Sequence, residues 1–313
     1  NIEGTLHTMS EGLLSTGVTS FLPTTLTSSY EQLLAVTENI GARYREASGA
    51  KIRGIYFEGP YFTEKYKGAQ NPAYMKDPRM DEFRAWQKAA NGLLNKIALA
   101  PEREGVEDFV RTITGEGVTV ALGHSNATFD EAKKAVDAGA SVWVHAYNGM
   151  RGLTHRELGM VGAMYELPHT YAELICDGHH VDPKACDILL KQKGTENIAL
   201  ITDCMTAGGL EDGDYMLGEF PVVVVNGTAR LKSTGNLAGS ILKLKDGLKN
   251  VVEWGIANPH EAVMMASLNP AKSVHIDDVC GQIREGYDAD FIVLDKDLEL
   301  VATYLDGVKR YQA

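Results

Sequence analysis

Short runs of β-branched and apolar residues alternate with amphipathic stretches of ten or more positions, the pattern of βαβ units that build a parallel sheet. The runs fall at Val18–Pro23, Ile52–Phe57, Lys96–Ala100, Val118–Leu122, Ser141–Val144, Tyr171–Cys176 and Ile198–Thr202. Helical signals lie between them. Ser29–Glu46 carries Leu33, Leu34 and Val36 in helical spacing, and Thr128–Ala138 opens on a threonine suited to an N-cap. Asp182–Gln192 joins a capping aspartate to Pro183 at the first helical position. The amphipathic stretch Leu6–Leu14 precedes the first run and has no strand of its own. Seven strands and a leading helix predict a (β/α)₈ TIM-type barrel whose first strand lies outside the chain. The segment then expected to be absent has roughly fifty or more residues, the scale of one strand plus half of a small domain.

Two stretches break the alternation. Within Tyr215–Lys232, Val222–Val225 and Thr228–Leu231 flank Asn226-Gly227, a strong hairpin signal. Beyond Pro270 the helical pattern of Pro259–Leu268 stops, and Phe291–Leu294 and Leu298–Tyr304 read as short strands with turns at Asp295–Asp297 and Asp306-Gly307. The expected organisation is a barrel unit over residues 1–275 with a hairpin insertion near 215–232. Residues 276–313 then form the C-terminal half of a small β-sandwich domain.

Composition narrows the function. A net charge of −12 lacks the basic field that nucleic acid requires, though a small anionic substrate needs only a few local cations. No apolar run approaches the ~18 residues of a membrane span. Cys176, Cys186, Cys204 and Cys280 form no C-x-x-C pair and read as reduced thiols of a cytoplasmic protein. Lys243–Lys249 reads as a solvated helix face, and the tryptophans and Met264-Met265 as packing.

In a barrel of this kind, chemistry sits at the C-terminal ends of the strands. Glu58 follows Ile55-Tyr56-Phe57, His124 follows Val120–Gly123, His145 follows Val142-Trp143-Val144, and Asp203 follows Ala199–Thr202. Singly, each has a plain alternative: a loop salt bridge for the glutamate, a satisfied structural histidine, a helix cap for the aspartate. Together they put two imidazoles and two carboxylates at one mouth, a donor set that suits Zn²⁺ or Fe²⁺ with a position left for water.

Six motifs then carry a resemblance. They are Phe57-Glu58-Gly59-Pro60, Lys67-Gly68-Ala69-Gln70-Asn71-Pro72, Leu122-Gly123-His124-Ser125, His145-Ala146-Tyr147-Asn148-Gly149-Met150, Asp177-Gly178-His179-His180-Val181 and Ile201-Thr202-Asp203. With Leu237-Ala238-Gly239-Ser240, Ala266–Ala271 and Gly286–Phe291 in order behind them, the chain resembles the N-acetylglucosamine-6-phosphate deacetylase family of amidohydrolases over essentially its whole length. The resemblance implies that Glu58, His124 and His145 ligate a divalent metal and that Asp203 is the catalytic acid/base. It implies substrate contacts from Ala69, Gln70, Asn148, Gly149, Arg156, Asp177, His180, Leu237, Ala238 and Gly239. It also implies a homodimer in which Arg156 reaches the phosphate across the interface; read alone, Arg156 is equally a surface arginine paired to Glu157 or Asp212. The reaction implied is deacetylation of N-acetylglucosamine 6-phosphate to glucosamine 6-phosphate and acetate, in amino-sugar catabolism.

Two departures from the family pattern bear on the metal. The His-x-His pair that holds a second ion in two-metal relatives does not occur in this chain, so one ion is expected from its ligands. Gln70 stands where one-metal relatives have a histidine that polarises the substrate carbonyl. Two other readings stay open: a metal-dependent amidohydrolase acting on a cyclic amide or an N-acyl amino acid, and a non-catalytic sugar-phosphate-binding form.

Overall fold

The structure is a computed structural model that describes residues 2–313; Asn1, the first residue of the expected barrel unit, lies outside them. The chain opens with helix α1 (Ile2–Leu14), then strands β1 (Ser20–Phe21) and β2 (Thr24–Thr25), helix α2 (Tyr30–Arg43), and strands β3 (Lys51–Ile52) and β4 (Ile55–Tyr61). It continues through α3 (Met80–Ala89), β5 (Leu94–Leu99), α4 (Val106–Thr114), β6 (Thr119–Leu122), α5 (Phe129–Asp137) and β7 (Val142–Trp143). Next come α6 (Gly159–Glu166), β8 (Tyr171–Ile175), α7 (Pro183–Lys193) and β9 (Ile198–Ile201). A three-stranded insertion, β10 (Gly213–Leu217), β11 (Phe220–Val225) and β12 (Thr228–Leu231), is followed by helices α8 (Leu244–Glu253), α9 (Pro259–Ala266) and α10 (Leu268–Ser273). Strands β13 (Phe291–Leu294), β14 (Leu300–Leu305) and β15 (Val308–Gln312) end the chain.

Seven of these strands form one parallel sheet in the order β2-β4-β5-β6-β7-β8-β9, the curved sheet of a TIM-type barrel. Strands β2 and β9 are its edges and do not pair with each other among the described residues. The helices cover its outer face, and Phe57, Trp86, Ile97, Leu122, Trp143 and Leu174 anchor one large core between the layers. Strands with protein on both faces read as near-continuous apolar runs, which is why six of the seven were countable in place.

The helix caps form as their residues predict. Ser29, Thr128 and Asp182 each accept from a main-chain N–H of the first turn, and Thr128 closes a capping box with Glu131.

Four local expectations need correction. Val18–Pro23 is not one strand: Ser20–Phe21 pairs with Lys51–Ile52 in a separate small sheet, and the barrel strand begins beyond Pro23 at Thr24. The hairpin at Asn226-Gly227 gains a third strand, Gly213–Leu217, antiparallel to β11. Pro270 does not end the helical region; it occupies the first turn of α10, where a missing N–H costs no hydrogen bond. Val308–Gln312 adds an edge strand to the C-terminal sheet that its charged sequence, Val-Lys-Arg-Tyr-Gln, concealed.

That C-terminal sheet is tied back to the beginning of the chain. Thr303 Oγ1 donates to the Leu14 carbonyl at 2.8 Å. Lys51 pairs with Asp288 at 3.2 Å, Asp290 at 2.9 Å and Asp306 at 2.6 Å, and Arg53 reaches Asp288 and Asp290.

Candidate active site

Glu58 lies within β4, and His124 and His145 lie just past β6 and β7, so three strands of the one parallel sheet deliver three side chains to one place. All three residues are buried. Glu58 Oε1 lies 3.0 Å from His124 Nε2 and 3.4 Å from His145 Nε2, and the two Nε2 atoms are 3.0 Å apart.

The far nitrogens decide what this means. His124 Nδ1 is 2.8 Å from the Tyr66 carbonyl and His145 Nδ1 is 3.1 Å from the Asn148 carbonyl. A carbonyl only accepts, so each Nδ1 carries a hydrogen and each neutral ring presents a lone pair at Nε2. Two such lone pairs and a carboxylate oxygen, all within 4.8 Å of one another, repel unless a cation lies among them. When no metal ion is bound, the corner draws in a proton instead. Burial pulls His145 down, but the hydrogen bond and charge of Glu58 more than restore it, to about 9. Burial pushes Glu58 up, and its contacts with His124 and His145 overcome this and hold it well below the usual carboxylate range. A positive charge belongs in this corner, and the residues fit a catalytic metal site with three protein ligands, the main-chain carbonyls of Tyr66 and Asn148 fixing both rings.

The main chain is bent to make it. His124 (φ 46°), His145 (φ 28°) and Asp203 (φ 49°) all adopt the left-handed region, which costs a non-glycine residue on the order of 1–3 kcal/mol and gathers at functional sites. Two glycines admit the bend. A Cβ on Gly149 would stand 3.0 Å from His124 Nδ1, and one on Gly68 would stand 3.2 Å from His124 Cε1. The Lys-Gly-Ala-Gln and Asn-Gly motifs therefore pack directly against the ring of His124.

Asp203 follows β9. The residue keeps some exposed surface, but its carboxyl is walled in by protein. Burial first, and the neighbouring Glu58 carboxylate second, push it up to about 7, with the charges of His145 and His180 pulling the other way. A carboxyl balanced near neutrality can take up a proton and give it back. Its strand end is stitched to the Leu237–Ser240 segment: Ser240 N–H donates to the Asp203 carbonyl at 2.7 Å, and Met205 N–H to the Ser240 carbonyl at 2.9 Å. Ala238 and Ala69 belong to the small core under the insertion, with Val222, Val224 and Leu231.

Gln70 is buried, and its Oε1 accepts from Thr27 N–H at 2.8 Å, leaving its Nε2 hydrogens as the donors on offer. Of the adjacent histidines, His179 is exposed and His180 turns inward, its side chain 6% accessible. Asp177 is spent on orienting it. Oδ2 takes His180 Nδ1 at 2.7 Å, and Oδ1 accepts the N–H groups of His179 and His180 at 2.8 Å each. Asp177 thus stands behind His180, with both oxygens engaged. In the loop after His145, the Asn148 N–H is already bonded to the His145 carbonyl at 3.0 Å, whereas the Gly149 N–H has no acceptor among the described residues. Arg156 is exposed and forms no ion pair among the described residues, because Glu157 accepts from the N–H groups of Phe129 and Gly159 and Asp212 from that of Asn226.

One feature of the lumen went unseen in the sequence. Beneath the site, Lys96 of β5 and Glu173 of β8 form a buried ion pair, and Lys96 Nζ lies 4.1 Å from the centroid of the Tyr56 ring. A lysine and a glutamate centred in otherwise apolar strands were the available signal.

Comparison with known proteins bears on this arrangement. The model of the amidohydrolase family matches residues 1–310. The chain belongs to the amidohydrolase family. Within it, the chain belongs with the N-acetylglucosamine-6-phosphate deacetylases. It is 40% identical to the N-acetylglucosamine-6-phosphate deacetylase of Vibrio furnissii, over 96% of this chain and 75% of that protein. It is also 41% identical to an N-acetylgalactosamine-6-phosphate deacetylase of Escherichia coli O157:H7, over 93% of this chain and 77% of the other. Among solved structures, the N-acetylglucosamine-6-phosphate deacetylase of Thermotoga maritima superposes with a TM-score of 0.92 at 32% identity, covering 100% of this chain and 84% of that one. A variant of the Mycobacterium smegmatis enzyme in complex with N-acetyl-D-glucosamine-6-phosphate gives 0.90 at 32% identity, over 95% and 78%.

Proposed function

We propose that this amidohydrolase removes the acetyl group of N-acetylglucosamine 6-phosphate, giving glucosamine 6-phosphate and acetate. The observation that carries the reading is the corner of Glu58, His124 and His145, two imidazoles with fixed tautomers facing a carboxylate, set beside an aspartate balanced near neutrality. Glu58, His124 and His145 would hold a divalent cation, zinc or iron, which when bound would supply Lewis acidity toward water and the amide carbonyl. The second ion of two-metal relatives has no His-x-His pair in this chain to hold it.

The remaining work falls to the chain's own groups. Asp203 takes the proton of the attacking water and delivers it to the departing nitrogen, which is a poor leaving group until protonated. Gln70 offers Nε2–H to the substrate, and His180, held by Asp177, offers Nε2. Ala69 and the Leu237-Ala238-Gly239 segment wall the sugar. The Gly149 N–H and a guanidinium receive the phosphate, the latter as a bidentate fork. An exposed Arg156 with no ion-pair partner among the described residues suits the homodimer in which the partner subunit's Arg156 supplies that fork. Four free cysteines suit a cytoplasmic enzyme.

Acetate release tests the reading. The metal-loaded protein should turn over N-acetylglucosamine 6-phosphate well ahead of the unphosphorylated sugar, and chelation should abolish both activities. Equal rates on the two would point to a different amide substrate. Metal uptake without turnover would mark a binding protein. The likeness to an N-acetylgalactosamine-6-phosphate deacetylase makes the C4 epimer a second reading, and the same assay on N-acetylgalactosamine 6-phosphate separates the two.

A further inference from the structure

Glu102 lies in the loop just beyond β5, outside every motif considered above. Its Oε2 accepts from Ser125 Oγ at 2.7 Å and its Oε1 from the Asn126 N–H at 2.6 Å. These are two donors of the turn immediately after His124. Ser125 is fully buried, and its Oγ also accepts from the Ala127 N–H at 2.9 Å. On its other side the same turn holds a second loop. Ser125 N–H donates to the Gly149 carbonyl at 2.9 Å, Arg151 N–H to the Ser125 carbonyl at 3.0 Å, and Arg151 Nη1 to the Asn126 carbonyl at 3.3 Å. One carboxylate therefore grips the joint between His124 and the Gly149 loop.

We propose that Glu102 is a positioning residue for both halves of the site: it fixes His124 for the metal and, through Ser125, sets the Gly149 N–H for the phosphate. This rests on the reading of His124 and Gly149 given above. The chemistry of the group suits the task. An ionised carboxylate is an acceptor at both oxygens, matching two donors that diverge from one turn. The left-handed main chain at His124 persists only where its surroundings over-determine it, and Glu102 supplies two of those restraints.

Removing the carboxylate leaves the Asn126 N–H and the Ser125 hydroxyl without acceptors in a buried place. Glutamine keeps an acceptor for the N–H and can donate to Ser125 Oγ once that hydroxyl rotates, so it should restore the joint. The test is Zn²⁺ affinity of metal-stripped protein, by competition with a chromophoric chelator, together with kcat and KM for phosphorylated and unphosphorylated sugar. Glu102→Ala should weaken Zn²⁺ binding by roughly 10–100-fold, the range for outer-shell partners of metal ligands. It should raise KM for the phosphorylated sugar alone, and Glu102→Gln should recover most of both losses. A folded Glu102→Ala protein with lowered Tm but wild-type Zn²⁺ affinity overturns the proposal, since it makes the residue merely structural. Should that variant fail to fold, Ser125→Ala, which removes one of the two donors, decides: a smaller loss of Zn²⁺ affinity supports the proposal and an unchanged affinity overturns it. Failure of the wild-type protein itself to take up Zn²⁺ overturns the metal reading, and this one with it.

Discussion

At the proposed metal corner, Glu58, His124 and His145 stand on strands of one parallel sheet, buried, with each ring pinned through Nδ1 to a carbonyl of the same chain. The proposed phosphate end has one half made this way, His180 held by Asp177, and one half that is not, Arg156 on an exposed loop with no ion-pair partner among the described residues. The difference follows from what each end must do. A metal centre loses its chemistry when a ligand moves by a fraction of an ångström, so its donors are fixed before anything binds. An anion is held by charge, which tolerates a flexible arm and gains from one that arrives with the ligand or with another subunit.

The comparison breaks most visibly at the metal corner. Ala at His124 or His145 should remove metal and turnover together, with affinity falling by more than the ~100-fold that outer-shell changes reach. Measured metal content settles it, and stoichiometric binding at wild-type affinity would make that histidine structural. Next in size is Asp203→Asn, which should lower kcat by at least ~10²-fold while leaving metal content alone. The same variant has a pH signature in metal-free protein. A carboxyl raised to about 7 in the fold, against ~3.9 unfolded, binds more protons folded than unfolded between those values. Wild-type stability should therefore fall from pH 4 to pH 7 relative to Asp203→Asn, a trend that denaturant titrations at pH 5 and pH 8 would detect. A constant difference between the two proteins would remove the perturbed carboxyl from the account. Smallest is Arg156→Ala. It should cost the phosphorylated substrate roughly 1.5–3 kcal/mol, about 10–150-fold in kcat/KM, and barely touch the unphosphorylated sugar. Equal losses on both would leave Arg156 with no part in phosphate recognition.

Glu58, His124, His145 and Asp203 were legible because a polar residue ending an apolar strand has few reasons to be there. Six of the seven parallel strands were legible for the related reason that burial on both faces leaves an unbroken apolar run, whereas the polar Thr24–Thr25 was missed. Glu102 was not, since a carboxylate in a loop carries no periodicity and its partners are two donors more than twenty residues away in sequence. The role of Asp177 was half legible: its motif marked the place, but only the coordinates show both oxygens turned to the His179-His180 turn. Val308–Gln312 was hidden by its own solubility, as an edge strand exposes the charges that make it look like a tail.

The clasp between Lys51, Arg53 and the three aspartates joins residues 235 to 255 positions apart in the chain. The bond from Thr303 to Leu14 spans 289. Lys51 and Arg53 sit immediately before the strand that carries Glu58, so neutralisation of that strand's foot waits for residues near the far end of the sequence. During synthesis the early strands emerge long before their counter-charges do. Closures over such separations are slow, because loop entropy is lost before any contact repays it. Asp288, Asp290 and Asp306 emerge last, so this clasp can close only once nearly the whole chain is available.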